Sequence, residues 1–531
     1  MKTHKHTTPV MKLMVTLVSA SMLMQGTPAQ AFWPSDADTS FNAYNNAFYV
    51  SNGGNAYYKQ DTGSGTGPGW WTLAEEIEMA EDSYNRTLSV GTKNVVSALC
   101  NGFVAQYGTL WTANSFNDDI TWAVIAFARA YQITGNTTFR DRAKANFDAM
   151  YSRAFDSNLG GGLWWTTGKT SKNACVNGPA SIASYLLYQI YGDSGYLTKA
   201  QNLYNWEKST LFNASTGQVY DNISSGGTIT TWVFSYNQGT FIGAANYLGQ
   251  TGDATLAANC TKNTLCTGGI LPDSGENGDG GGFNGIFLRW MAKFMKDRSL
   301  QSTYLSWLQL NANAAWNVRR TADNLSWCNW RSLTPTGTRY SFGCVNTPLA
   351  LQVVPADGEG IMFCENANYE GVPSQLVGTG SFTMTQLQAL GVGNDWASSL
   401  RAPSDWQVTL YQNDNFTGTS WTFAADTSFV GAAANDQMTS CKIQTTKVIF
   451  YQDAGYQGSR SQGLSKGTYT MAQLQAMEVP NDWASSLRLP PGWTVIMYQN
   501  DNFTGTSWTF NSDTSYVGAA ANDQMTSCKI Q

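Results

Sequence analysis

The chain changes texture once along its length. From residue 32 to about 355, apolar positions recur at the three-to-four-residue spacing of a helix face, and the runs are cut by short turns. From about residue 359 onward the apolar runs are short and β-like, separated by Gly turns. Pro355-Ala356-Asp357-Gly358 reads as the joint between the two. The first region repeats one device. Thr134-Gly135-Asn136, Tyr191-Gly192-Asp193 and Thr251-Gly252-Asp253 each close an apolar helical pattern, and the first two lead directly into another. Gly ends one helix, and Asn or Asp can cap the next. The three turns are 57 and 60 residues apart, a period that holds two helices and two loops. About 320 residues then hold five or six helical hairpins. A closed ring of such hairpins, an (α/α)6 toroid over residues 32–355, fits that number; a less regular all-α domain is the alternative.

The second region is a tandem repeat with an offset of 87 residues: Phe382 to Gln444 and Tyr469 to Gln531 are identical at 49 of 63 positions. Each copy contains two smaller units. Tyr411, Tyr451 and Tyr498 are each followed five residues on by Phe416, Tyr456 or Phe503, and then by Gly418, Gly458 or Gly505. In the fourth unit Cys364 takes the Tyr place, before Tyr369 and Gly371. An aromatic pair closed by Gly fits a folded hairpin that needs a positive φ. Four units make two Greek-key sandwiches, residues 359–444 and 446–531.

Composition narrows the chemistry. A chain of 531 residues exceeds what one core supports. Charged residues make up 13% and aromatic residues another 13%, including 20 Trp. With few basic clusters, no nucleic-acid partner is expected. Asn, Ser, Thr, Gly and aromatic rings suit sugars instead, although many of the rings serve simply as core. Lys2, Lys5 and Lys12 around an apolar run from Leu13 to Met24, then Ala29-Gln30-Ala31, read as a signal peptide over residues 1–31. No stretch is long enough to span a membrane, so a secreted protein is expected. Removing the segment takes the formal charge from −6 to about −9. His4 and His6 are the only histidines and both lie in it. The remainder therefore has no Ser-His-Asp or Cys-His catalysis and no His-bound zinc. Carboxylates, Tyr and Lys remain as proton carriers. Nine Cys in an exported chain suggest disulfides plus one odd thiol. Cys260/Cys266 and Cys328/Cys344 are close enough in sequence to pair, Cys100/Cys175 and Cys364/Cys441 are further candidates, with two buried free thiols as the alternative for Cys100 and Cys175, and Cys528 is a candidate for the odd one.

The strongest candidate for catalysis is Asp118-Asp119, at the start of a helical run that continues to Tyr131, with Asn117 or Asp118 as its N-cap. A helix N-terminus favours carboxylate, while mutual repulsion raises one of the two pKa values. A split pair is what glycoside hydrolysis requires, one group to attack and one to protonate the leaving oxygen. Three segments look like pocket lining: Gly160-Gly161-Gly162-Leu163-Trp164-Trp165 with Lys172 to Ala180, Trp232 to Gly239, and Gly278 to Phe287. Each sets Gly, aromatic and amide groups just before a helix. Glu75 and Glu76, after Trp70-Trp71, read as an ordinary helix face.

Together, Asp-Asp-x-x-Trp, Gly-Gly-x-Trp-Trp, Lys-Asn-Ala with Asn-Gly-Pro-Ala, Tyr-Asn-Gln-Gly and Gly-Ile-Phe-x-Arg resemble glycoside hydrolase family 76 over about residues 40–350. The resemblance implies an (α/α)6 toroid, an endo-α-1,6-mannanase acting with retention, Asp118 as nucleophile and Asp119 as general acid/base. Retention calls for carboxylates roughly 5–5.5 Å apart. Asn117 departs from the Tyr that the family often has there. Asn173, Asn177, Tyr236, Asn237 and Gln238 would bind mannose hydroxyls. Trp164, Trp165 and Phe283 would stack on sugar rings, and Asp279 would touch substrate or serve a turn. The implied partner is α-1,6-mannan or a mannose-containing cell-wall polysaccharide.

The repeat carries Asn-Asp-Trp-Ala-Ser-Ser twice and Asn-Asp-Gln-Met-Thr-Ser twice, at residues 394–399, 481–486, 435–440 and 522–527. Acid, amide and hydroxyl oxygens in a tight loop suit Ca²⁺, and Asx turns closing hairpins would use the same residues. Two copies per domain are similar to the calcium motif of microbial βγ-crystallin domains. That resemblance implies structural Ca²⁺ at Asp395, Ser398, Asp436 and Thr439, and at Asp482, Ser485, Asp523 and Thr526, about four ions in all, with no cofactor for catalysis. Other readings stand beside this one: another α-glycan hydrolase on the same toroid, or a calcium-dependent wall-binding protein without activity.

Overall fold

A computed structural model of the protein describes residues 32 and 34–531, apart from positions 64, 66, 68, 88, 299, 357–359, 370, 373 and 404. The expected export segment, Asp357 and Gly358 of the joint, and the expected domain start at Glu359 lie outside the described residues.

The first region is helical. Its helices are α1 (Pro34–Phe48), α2 (Trp70–Thr87), α3 (Val90–Tyr107), α4 (Asn117–Thr134), α5 (Thr137–Ala154), α6 (Ala174–Tyr191), α7 (Ser194–Thr210), α8 (Ser235–Tyr247), α9 (Thr251–Cys260), α10 (Phe283–Asp297), α11 (Gln301–Asn317), α12 (Ser341–Cys344) and α13 (Asn346–Val353). Six of them close a ring: α2 packs on α4, α4 on α6, α6 on α8, α8 on α10, α10 on α13, and α13 back on α2. Outside it, α3, α5, α7, α9 and α11 each pack on the ring helix that precedes them, and α1 packs on α13. The first helix among the described residues therefore completes the last hairpin, and the fold is an (α/α)6 toroid. Ring helices are buried nearly all round: α4 buries Ile120 through Ala128 without a break, as expected for a helix enclosed on every side. Outer helix α5 buries a single stripe, Phe139, Ala143, Asn146, Phe147 and Met150.

The predicted turns form by the predicted means at two of three places. Gly135 and Gly192 take left-handed φ at the ends of α4 and α6, and the side chains of Asn136 and Asp193 cap α5 and α7. The third turn is displaced. α8 ends at Tyr247 with Leu248 as its C-cap, Gly249 takes φ +76°, and Thr251-Gly252-Asp253 is the first turn of α9. Another glycine sets how near two ring helices come: a Cβ on Gly239 of α8 would lie 2.6 Å from Cα of Phe287 on α10.

The second region is β-sheet. Strands 417–423, 406–413, 440–445 and 380–382 form one sheet in that order, and strands 504–510, 495–500, 527–530 and 467–469 repeat it. A second, smaller sheet faces each: 362–364 with 399–401, and 457–460, 449–453 and 486–488. The buried side chains form one main cluster per sandwich, with a small separate one at Met362 and Cys364. Alternating residues of strand 449–453 and the position before it divide between them, Ile449 and Tyr451 to the first, Val448 and Phe450 to the second. The period-two geometry of a strand makes this sharing possible. The duplication also repeats an ion pair. Arg401 lies over the Tyr369 ring and reaches Asp36 of α1 and Asp426. Its counterpart Arg488 lies over Tyr456, reaches Asp513, and sits 5.1 Å from the ring of Trp406 in the first sandwich.

The nine cysteines are all free thiols, eight buried and Cys266 half-buried, so none of the four anticipated pairs is bonded. Cys175 instead lies 3.4 Å from Asp118, and Cys328 3.3 Å from Asp273. Among the described residues no helix is long and apolar enough to cross a membrane.

Candidate active site

Successive ring helices are one hairpin apart, so their N-termini open at the same end of the toroid. The residues singled out from sequence sit in the first turns of those helices or in the loops that lead into them. α4 starts at Asn117 with Phe116 as its N-cap and without a side-chain cap bond, so neither Asn117 nor Asp118 takes that role. The Asn117 side chain is committed elsewhere: Nδ2 donates to the Trp164 carbonyl (2.7 Å), and Oδ1 accepts from Arg153 Nε (2.8 Å). Arg153 also donates to the carbonyls of Thr112 and Asn114, which fixes the loop carrying the acids.

Asp118 and Asp119 stand side by side in the first turn, where unpaired backbone N–H groups favour negative charge. Their surroundings differ. Asp118 Oδ2 accepts from Trp165 Nε1 (2.9 Å) and from the Cys175 thiol (3.4 Å), whereas its Oδ1 is buried and has no hydrogen-bond partner. Burial, and then the charge of Asp119, push the Asp118 carboxyl up to about 7. Asp119 Oδ2 accepts from Asn114 Nδ2 (2.8 Å). Burial also lifts Asp119, to about 6, against the lowering effect of Asn114 and with a further push from Asp279. The pair therefore keeps a proton into the neutral range, which two solvated aspartates would not.

Aromatic rings flank the pair on two sides. Trp165 packs edge-on against the exposed Phe116, centroids 5.4 Å apart. Beyond Cys175, Tyr236 stacks on Phe283 at 3.9 Å, and Phe234 and the exposed Trp232 continue the row outward. Asp279 is exposed, accepts from Trp71 Nε1 (3.0 Å) and faces Asp119. Asn173 is nearly buried beside Ser171, and Asn237, expected to meet a sugar hydroxyl, is fully buried and reaches toward Asp221 (3.4 Å) with its own Oδ1 unpartnered.

Three residues expected to meet sugar are placed otherwise. Asn177 is fully buried, its amide bonded to both backbone groups of Leu163 and to the Asn173 carbonyl. Gln238 is fully buried and ties Val219, Gly217 and Ala257 together through their backbones. Trp164 is 4% exposed, donates to Asp156 (2.6 Å) and lies under the Lys172 ammonium. These three brace the wall instead of lining it. Lys172 is buried as well and binds the carbonyls of Asn158, Gly161 and Gly162. Gly162 is required there, because its φ is +76° and a Cβ would lie 2.4 Å from the Trp206 ring. Sequence reasoning missed Asn114, Arg153 and Asp221, and it read Cys175 as a disulfide partner or a buried free thiol, of which the second holds, without placing it beside Asp118. Asn114, four residues before Asp118, was the one with a local signal.

At the calcium motifs, Asp395, Asp436, Asp482 and Asp523 all have left-handed φ of +50° to +53°. The two motifs of each sandwich meet: Ser398 Oγ donates to Asp436 Oδ1 (3.1 Å) and Ser485 Oγ to Asp523 Oδ1 (3.2 Å). Thr439 and Thr526 hold the same loops through backbone bonds to Tyr411 and Tyr498. A carboxylate from one motif and a hydroxyl from the other, brought together at a turned backbone, are oxygen donors of the kind a hard cation takes. Each loop brings a single carboxylate, in keeping with the finding that no three of His, Cys, Asp and Glu cluster among the described residues.

A toroid of helical hairpins that opens on two adjacent carboxyls with raised proton affinity, bordered by aromatic rings, is the apparatus of a glycoside hydrolase. The chain belongs to glycosyl hydrolase family 76, whose model matches residues 15–355, and the beta/gamma crystallin model matches residues 407–489. Among solved structures, an inactive variant of the alpha-1,6-mannanase of Salegentibacter sp., with two consecutive aspartates changed to asparagine and alpha-1,6-mannotriose bound, is 28% identical. It covers 61% of this chain and 98% of its own, with a TM-score of 0.57. A mannan endo-1,6-alpha-mannosidase of Candida glabrata is 30% identical over 115 residues, 20% of this chain and 26% of that protein. Development-specific protein S of Myxococcus xanthus is 32% identical over 162 residues, 30% of this chain and 91% of that protein.

Proposed function

We propose that the protein is a secreted endo-α-1,6-mannanase that cuts α-1,6-mannan backbones with retention. The observation that carries this reading is the unequal treatment of the two oxygens of Asp118: Oδ2 is held by two donors, while Oδ1 is bare and buried at the helix mouth. A bare carboxylate oxygen is a nucleophile kept free of competing hydrogen bonds. Asp118 attacks the anomeric carbon, and Asp119 protonates the departing glycosidic oxygen and then deprotonates the water that releases the product. In the free site the higher proton affinity falls on Asp118, because burial and then the charge of Asp119 disfavour its ionised form. Positive charge developing at the anomeric carbon favours ionised Asp118 in the transition state and leaves the proton to Asp119. The relatives that act on α-1,6-mannan support the substrate.

Proton NMR of the first product from linear α-1,6-mannan tests the stereochemistry: the α-anomer is expected, and initial release of the β-anomer would replace this mechanism by inversion. Azide rescue tests the roles. Asp119→Ala should yield the α-glycosyl azide and Asp118→Ala the β-azide.

We further infer that Asp395, Ser398, Asp436 and Thr439, with Asp482, Ser485, Asp523 and Thr526, hold structural Ca²⁺. The ion would supply charge balance to these loops and stabilise the sandwiches by binding only their folded form. A melting transition that rises with Ca²⁺ and falls with EGTA supports this; an unchanged transition refutes it.

A further inference from the structure

Cys175 is one of nine unpaired thiols, and it alone touches the catalytic pair. It lies in the first turn of α6, 5% exposed, with Sγ 3.4 Å from Asp118 Oδ2. The same oxygen receives the indole N–H of Trp165 at 2.9 Å. Behind the thiol stands the Tyr236 hydroxyl, and Asp221 faces both. A thiol is a weak donor, and it donates only while protonated. Burial and the neighbouring charge of Asp118 keep this one protonated, well above the ordinary range of a thiol. Two donors converging on one oxygen leave the carboxylate a single free oxygen and a single orientation.

We propose that Cys175 is a positioning residue: together with Trp165 it clamps Asp118 Oδ2 and so presents Oδ1 alone to the anomeric carbon. This rests on the reading of Asp118 as nucleophile. Losing the thiol would let the carboxylate rotate and would remove a bond that favours its ionised form. Both effects appear in turnover and in the pH profile, and neither requires weaker substrate binding.

The test compares Cys175→Ala, Cys175→Ser and, as a matched buried thiol away from the site, Cys100→Ala. On linear α-1,6-mannan, Cys175→Ala should lower kcat about tenfold with KM within about twofold of the parent. Its acid limb of kcat/KM should move to higher pH. Cys175→Ser keeps a donor and should retain the parent limb and most of kcat, and Cys100→Ala should match the parent in both. Parent values of kcat and acid limb in Cys175→Ala would overturn the proposal, as would equal losses in the Ala and Ser variants. A second readout does not depend on turnover. The infrared S–H stretch isolated by subtracting the Cys175→Ala spectrum should lie at the lower wavenumber of a bonded thiol, and should rise when the subtraction is repeated in an Asp118→Ala background. A band that stays put would show that the thiol does not bond to Asp118, whatever the substrate proves to be. Mannan inactivity of the parent with a shifting band would defeat the mannanase reading and leave the contact standing.

Discussion

Two clusters of acids lie in the same ring of helices and have been put to opposite uses. At the mouth, Asp118 and Asp119 start α4. Three turns further along the same helix, about 16 Å below, Arg129 meets Glu78, Glu81 and Asp82 of α2, and Arg289 of α10 meets Glu75, Glu78 and Asp82. Burial lifts carboxyl pKa values in both places, Glu75 to about 8 and Asp118 to about 7. A raised pKa therefore does not distinguish them. Two other properties do: the lower acids are crossed by guanidinium groups and fully buried, whereas Asp118 and Asp119 are only half-buried and pair with no cation among the described residues. Catalysis needs proton affinity together with access to a reacting atom, and only the mouth offers both.

The comparison can be broken at either end. The largest effect is expected at the mouth. Asp119→Asn should lower kcat/KM on mannan by about 10²–10⁴-fold. The loss should be far smaller on an aryl oligomannoside whose leaving group needs no proton, and equal losses on both substrates would remove Asp119 from the acid role. Next comes the lower layer. Arg289→Met strands buried carboxylates and should cost about 3–5 kcal/mol of stability, read as a fall in melting temperature. Its activity per folded molecule at low temperature should stay within a few-fold of the parent, whereas a loss of turnover as deep as that of the mouth variants would erase the distinction.

The smallest effect separates proton affinity from function. Glu76 is buried beside the Tyr44 hydroxyl and is raised to about 8 by desolvation. A folded-state pKa above the unfolded one means that the native protein holds a proton the unfolded chain releases. Its stabilising contribution is complete below about pH 4.5 and is lost as pH rises toward 8, by about 1.4 kcal/mol per pH unit for such a group. Calorimetric melting from pH 5 to 9 should show a shallower decline in Glu76→Gln than in the parent. Parallel curves would mean that Glu76 does not carry this proton.

The toroid was legible because its turns are local. Gly135 and Gly192 need positive φ, and Asn136 and Asp193 cap from one residue further on, so sequence neighbours carry the whole signal. The third turn was misplaced by three residues because Gly249 and Gly252 look alike in sequence, and only one of them leaves the helix. At the mouth, the adjacent acids and the order of the pocket segments were readable. The division of labour among amides was not: Asn177 and Gln238 have the chemistry of sugar ligands, yet their buried positions commit them to backbone groups. Arg153, Cys175 and Asp221 reach the site from α5, α6 and the segment before α8, and only the closed ring brings those together. Glu75 and Glu76 did form a helix face, but it faces inward, which only the position of Arg289 across the ring reveals.

The most direct test is the initial rate of reducing-end release from unbranched α-1,6-mannan by the parent, Asp118→Asn and Glu76→Gln, each shown to be folded. The account predicts a fall on the order of 10⁴-fold or more for Asp118→Asn and a rate within a few-fold of the parent for Glu76→Gln. Equal rates for the parent and Asp118→Asn, or a parent that releases no reducing ends, would contradict it.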